Sequence, residues 1–197
     1  MTAAPPSPSR PASPGAPDAL ASPGRRFDPE FAALYRAEFD WVFRTLRRLG
    51  ARDADLEDLA HDVMVVAYRA FDAYDRSRPI KPWLFGIAFR VVSDYRRRAR
   101  FSREELSADE RATTPAHQES DLERAHARAL VLAALDALPL DQRAVFVAVE
   151  LDETPVPELA RALGIPLNTC YSRLRLGRKR FAEAVTSLHR EDAGRTS

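Results

Sequence analysis

The chain has 197 residues, 30 Lys+Arg against 29 Asp+Glu, a formal net charge of +1, and 45% apolar residues. That is one ordinary domain or two small ones, with enough apolar side chains for a core, so disorder throughout is excluded. A single cysteine, Cys170, excludes a disulfide framework and a cysteine-based zinc site.

The small net charge would argue against a nucleic-acid partner if the charges were evenly spread, and they are not. Residues 52–75 carry seven acids and two bases. Residues 83–100 carry five Arg and one Asp, and residues 167–181 carry four Arg, Lys179 and no acid. Salt confines each field to about 8–10 Å, so each patch acts locally. Arg makes up 28 of the 30 bases. It suits phosphate better than Lys does, although a GC-rich coding sequence explains the ratio more simply.

Residues 1–26 hold seven Pro among Ala, Ser and Gly. So few large apolar residues cannot offset the entropy of ordering, which predicts a disordered tail. The tail lacks the basic start and apolar stretch of a signal peptide. No run of about 18 apolar residues is present to cross a membrane. The expectation is a soluble, cytoplasmic protein.

Residues 27–100 predict a first helical domain. Phe31, Leu34, Tyr35, Phe39, Val42, Leu46 and Leu49 recur at helical spacing, and Gly50 ends that helix. Asp53 or Asp55 can cap the next, whose apolar stripe runs from Leu56 to Tyr74. Residues 75–82 read as a loop from their Pro and charge content. A third helix starts near Trp83, with Leu84, Ile87, Ala88, Val91 and Tyr95 facing inward, and runs into Arg96, Arg97, Arg98 and Arg100. Residues 101–123 lose periodicity and predict an interdomain linker.

Residues 124–188 are helical again, with a short tail at 189–197. A short helix at Pro157–Leu163 is followed by Gly164-Ile165-Pro166 and by a longer helix from Leu167. In the longer helix Leu167, Cys170, Leu174, Gly177, Phe181, Val185 and Leu188 make one face. Asn168, Ser172, Arg173, Arg175, Lys179 and Arg180 make the other. Two helices around a Gly turn, the second with an Arg-rich face, match a helix-turn-helix that sets its second helix in the major groove. Arg can pair bidentately with guanine and Asn with adenine. The competing reading is a solvated amphipathic helix, but solvated faces usually mix signs, and no acid occurs between 167 and 181.

These blocks resemble a known family. Leu138-Pro139, Gln142-Arg143, Glu158-Leu159-Ala160, Leu163-Gly164-Ile165-Pro166 and Thr169-Cys170-Tyr171-Ser172-Arg173-Leu174 are similar to the second half of an extracytoplasmic-function (ECF) sigma factor. Asp55, Glu57-Asp58-Leu59, His61-Asp62-Val63, Trp83-Leu84-Phe85-Gly86-Ile87-Ala88, Asp94 and Arg96-Arg97-Arg98 are similar to the first half. Such proteins are promoter-recognition subunits of bacterial RNA polymerase.

The resemblance implies an all-α fold of two small domains on a flexible linker, the C-terminal one a helix-turn-helix. It implies that core RNA polymerase is bound through its clamp helices and flap region, that promoter DNA is bound, and that an anti-sigma factor is a further partner. Asp55, Glu57, Asp58, His61 and Asp62 would meet polymerase, the alternative being a solvated acidic face. Arg78, Ile80, Lys81, Trp83, Arg90, Arg96, Arg97 and Arg98 would hold the opened strand at the −10 element, where stacking walls and cations are needed. Core packing is the competing role for Trp83. Asn168, Thr169, Tyr171, Ser172, Arg173, Arg175, Lys179 and Arg180 would read the −35 duplex. A flexible linker would let two weak contacts act together through effective concentration.

The sequence departs from the family pattern at four places. Arg90 stands where an Asn is usual, Ile80 where an aromatic is common, His61 for a Gln, and Cys170-Tyr171 for Val-Lys. Enzyme chemistry has little footing. His61, His117, His126 and His189 are scattered without metal-ligand spacing, and there is no P-loop. No catalytic residue, metal or cofactor is expected. The rival functions are a self-sufficient helix-turn-helix repressor and a DNA nuclease. A repressor has no need of the acidic segment, and a nuclease would need carboxylates beside the basic helix.

Overall fold

The computed structural model describes residues 28–103 and 119–195. The Pro-rich tail 1–26 and residues 104–118 of the expected linker lie outside the described residues.

Seven α-helices carry the fold: α1 (Pro29–Leu49), α2 (Leu56–Ala70), α3 (Ile80–Arg103), α4 (Glu119–Asp136), α5 (Leu140–Phe146), α6 (Val156–Leu163) and α7 (Leu167–Arg195). Among the described residues there is no strand. Asp28 caps α1, its carboxylate accepting from the amides of Glu30 and Phe31, and Pro29 occupies a first-turn position that needs no amide hydrogen. Gly50 ends α1 in the left-handed region at φ 92°, with the paired turn bonds Gly50 N–H to Arg47 O and Ala51 N–H to Leu46 O. Gly164 ends α6 in the same way, at φ 67°.

Three element boundaries differ from expectation. Helix α3 begins at Ile80, three residues before Trp83, because Pro82 falls in the first turn, where its missing amide costs nothing. Helix α3 runs through Arg103 and α4 starts at Glu119, so both reach into the stretch expected to be linker. Helix α7 continues through Arg195, beyond the expected end near 188. The acid-capped start of α2 also differs. Asp53–Asp55 form a single 3-10 turn, and neither carboxylate caps the helix.

Helices α1–α3 pack around Val42, Leu46, Leu49, Leu56, Val63, Leu84 and Val92, all fully buried. Helices α4–α7 pack around Leu135, Val145, Leu159 and Cys170, also fully buried, with one π turn (Val147–Leu151) extending α5. Full burial of each such Leu, Val or Phe contributes roughly 1.5–3 kcal/mol. The two cores are continuous, one apolar cluster running through both halves. Phe85 and Gly86 of α3 are buried, although the inward stripe read from sequence did not include them. They lie where α6 of the second half packs against α3 of the first.

Candidate nucleic-acid and protein interfaces

The acidic surface sits on α2. Glu57, Asp58, His61 and Asp62 are exposed, and Val65 and Val66 extend the same surface at 47% and 39% exposure. His61 is held in place. Its Nδ1 lies 2.8 Å from Glu57 O, which fixes that nitrogen as the donor, and its Nε2 lies 3.3 Å from Tyr35 Oη. Its ring packs 5.2 Å from Phe39. Asp55 is set apart from the other four. It is half-buried, its Oδ2 accepts from Tyr95 Oη at 2.6 Å, and Arg52 stands 3.7 Å away. Arg52 Nε donates to the same phenol at 3.1 Å. Burial and the Asp55 hydrogen bond push the Tyr95 phenol above its ordinary range. Asp55 therefore ties the start of α2 to α3 and is less free than its neighbours to meet a partner.

A second site forms where the 75–79 loop meets α3. Asp75 accepts from the amide and hydroxyl of Ser77 and pairs with Arg78 at 2.9 Å. The Ser77 hydrogen bonds, helped by Arg78, hold the Asp75 carboxyl below the usual range. Tyr74 donates to Arg78 O. Its ring packs on half-buried Trp83 at 4.8 Å, so Trp83 has both a packing partner and an open side. Arg90 is exposed, and its Nε donates to Gly86 O at 3.0 Å. A cleft of about 310 Å³ is lined by Tyr74, Arg78, Trp83 and Arg90 on one wall and by Glu158 and Arg161 of α6 on the other.

The remaining cations of this set do not join them. Arg97 pairs with Asp94 at 2.8 Å, and Arg98 Nε reaches Asp94 O at 3.4 Å. Arg96 turns inward, its Nη1 3.5 Å from Leu49 O at the end of α1. Lys81 lies 6.0 Å from the Trp41 ring, and Ile80 is half-buried.

On α7, Asn168, Tyr171, Ser172, Arg175, Lys179 and Arg180 are exposed, while Thr169 and Arg173 are half-buried. Ser172 Oγ donates back to Asn168 O at 2.9 Å. Acids from other elements reach this face. Asp141 holds Arg173 at 3.1 Å, and Glu150 holds Arg178, which the sequence reading had not singled out, at 2.7 Å. Gln142 accepts from Arg180 at 2.8 Å. Cys170 is fully buried, and burial pushes its thiol up.

Sequence reasoning also missed the seam between the halves. Arg143 of α5 is 2% exposed, donates through Nε to Arg48 O, and pairs with Asp136 at 2.5 Å. Asp152 pairs with Arg48 at 2.7 Å, and its side chain is 4% exposed. The one available signal was an apolar pair, Phe85 and Phe89, off the inward stripe of α3.

Among the described residues no helix is long and apolar enough to cross a membrane. The sigma-70 region 2 family model matches residues 34–102, and the sigma-70 region 4 model matches residues 128–181. SigE of Mycolicibacterium smegmatis, an ECF RNA polymerase sigma factor, is 29% identical over 169 residues, which is 84% of this chain and 65% of SigE. The match thus spans just under two thirds of that relative. SigL of Mycobacterium tuberculosis, also an ECF RNA polymerase sigma factor, is 31% identical over 148 residues, 73% of this chain and 84% of SigL. The fold resembles that of the sigma factor RpoE solved with the anti-sigma factor NepR from Bartonella quintana. That likeness has a TM-score of 0.66 at 23% identity and covers 81% of this chain and 98% of RpoE. Regions 2 and 4 stand in order along the chain, and most of SigL is matched at 31% identity: the chain belongs to the ECF RNA polymerase sigma factors.

Proposed function

We propose that this protein is a dissociable initiation subunit: it binds core RNA polymerase, directs it to specific promoters, helps melt the −10 region and lets transcription begin. The observation that carries the reading is the separation of charge onto distinct exposed surfaces in the order the family uses them. The exposed α2 face, Glu57, Asp58, His61 and Asp62 beside Val65 and Val66, suits a protein partner with basic and apolar character. We assign it to the polymerase clamp helices, with Asp55 holding that helix in place through Tyr95. Trp83 on Tyr74, with Arg78 and Arg90 beside it, offers a stacking wall and cations to an unpaired strand. The exposed face of α7 suits a duplex major groove, with Arg175 the cation best placed to reach a base.

Region 2 would span residues 27–100 and region 4 residues 124–188, the latter also meeting the flap region. RNA synthesis itself is the chemistry of the polymerase, so this chain needs no catalytic group, and its place of work is the cytoplasm. An anti-sigma factor is the natural regulatory partner, since a sigma factor of this fold was solved in complex with one.

Run-off transcription with core polymerase on a genomic promoter library tests the reading. Transcripts from a defined promoter set, dependent on this protein, are the expected result. Failure to co-purify with core polymerase, together with tight promoter binding by the free protein, would instead make it a repressor.

A further inference from the structure

Three large apolar side chains of α7 stand in solvent: Leu167 at 43%, Tyr171 at 50% and Leu176 at 36% exposure. The inward stripe of the helix does not use them, since Cys170, Leu174 and Gly177 are the residues buried there. Among the described residues no hydrogen bond or ring contact engages Tyr171. Tyrosine is also a poorer helix former than the Ala, Lys or Gln that an exposed position accepts. Neither core packing nor helix propensity accounts for it.

Position on the helix supplies the rest. Leu167 and Tyr171 are four residues apart and lie one above the other. Asn168 stands three residues before Tyr171 and Arg175 four after it, so both border the same strip, and both are exposed. Leu176, five residues on from Tyr171, turns to a different side at 3.6 residues per turn. The outer face at the start of α7 is thus an apolar pair edged by one amide and one guanidinium. In a helix-turn-helix this part of the second helix meets base edges. The amide complements adenine and the guanidinium complements guanine, while the one apolar group on the floor of the major groove is the 5-methyl of thymine.

We propose that Leu167 and Tyr171 are specificity-determining residues: their apolar strip covers the 5-methyl group of a thymine, next to the base met by Arg175. The inference deepens the assignment of α7 to the −35 duplex and rests on that reading for the groove and the promoter. It gives an exposed apolar pair a complement of matching chemistry, and it makes one position of the duplex element thymine.

Removing only the methyl group tests it. Selection from a random duplex library, with the full chain alone and with the chain bound to core polymerase, supplies the preferred duplex. Each thymine is then replaced singly by deoxyuridine, which keeps the hydrogen-bonding groups of thymine and lacks the methyl. Fluorescence anisotropy compares wild type with Tyr171→Ala, Leu167→Ala and Arg175→Ala, and circular dichroism confirms that helicity is kept.

One thymine should respond: uracil there weakens wild-type binding about fourfold, the worth of one buried methyl group. The response should vanish in Tyr171→Ala and shrink in Leu167→Ala. It should persist in Arg175→Ala, although that variant binds more weakly throughout, which separates loss of the methyl contact from general weakening. An enriched duplex without thymine, or one in which uracil costs nothing at any position, overturns the proposal. So does a uracil response that Tyr171→Ala and Leu167→Ala leave unchanged, or failure of both forms to enrich any duplex. A Tyr171-dependent uracil response in a chain that core polymerase neither binds nor uses for run-off transcription upholds the strip and overturns the sigma reading instead.

Discussion

On α2, Glu57, Asp58 and Asp62 stand in solvent, and none of the described ion pairs engages them. On α7 the segment 167–181 contains no acid, yet Arg173, Arg178 and Arg180 are already held by Asp141, Glu150 and Gln142 from α5 and its π turn. A count along the chain makes the basic segment the purer of the two. In space the acidic surface is the freer one. Charge within a segment measures what a helix carries, and only packing decides how much of it remains for a partner. A partner of α2 meets carboxylates that need give up only water, whereas DNA on α7 must first break internal pairs or use the cations left outside them.

The largest effect should follow from reversing the free charges. Asp58→Arg with Asp62→Arg should weaken binding of core polymerase by about 3 kcal/mol, because like charges brought together at an interface cost several kcal/mol. Folding stability should fall by no more than about 1 kcal/mol, since both sites are exposed and only Asp58, in the first turn of α2, gives up a favourable place at the helix dipole. Titration of labelled protein with core polymerase reads the first quantity, and thermal melting reads the second. Unchanged affinity would mean that this face is only solvated.

The next effect separates cations on α7. Arg175→Ala should cost about 2 kcal/mol in duplex binding if the side chain reads a base. Arg173→Ala should cost less, because Arg173 must leave Asp141 before it can reach DNA. Asp141→Ala, which frees Arg173, should tighten binding by up to about 1 kcal/mol, the scale of a partly exposed ion pair. Anisotropy titrations at one fixed salt concentration compare all three. A larger loss at Arg173 than at Arg175 would reverse the assignment of the outer cation as the reader.

The helices of both halves and the turn at Gly164 were legible because apolar spacing and αL glycines are local signals. Cys170 was correctly placed on the inward face of α7 for the same reason. The seam was not legible. Phe85 and Gly86 fall off the inward stripe of α3, and nothing local says that a helix some 75 residues later will cover them. Arg143 read as part of a motif, but its burial depends on the carbonyls at the end of α1, far away in sequence. Arg96 read as one of a basic cluster, and the same helix end turns it inward. In each case the partner is a backbone group or a distant element, which composition and periodicity do not record.

The smallest effect extends the comparison to a third kind of charge, the acid that the seam buries. Asp152 accepts from Arg48 and from the Trp41 indole, with Lys81 nearby, but its Oδ2 has no hydrogen-bond partner. Burial outweighs these favourable contacts and raises its pKa above the ordinary carboxylate value near 3.8. Packed in the seam it therefore binds a proton more readily than it would in the unfolded chain. By linkage, this residue favours the folded form at acid pH, an advantage that weakens as pH rises from the ordinary value through the raised one and is level above it. Asp152→Asn keeps an acceptor for Arg48 and Trp41 while removing the charge, so it should behave at neutral pH as the wild type does when protonated. The expected result, read by thermal melting, is a slightly higher melting temperature at pH 7 and a changed dependence of melting temperature on pH in the acid range. A lower melting temperature of Asp152→Asn at neutral pH would show that attraction to Arg48 outweighs burial, and would move Asp152 from the weak point of the seam to one of its fastenings.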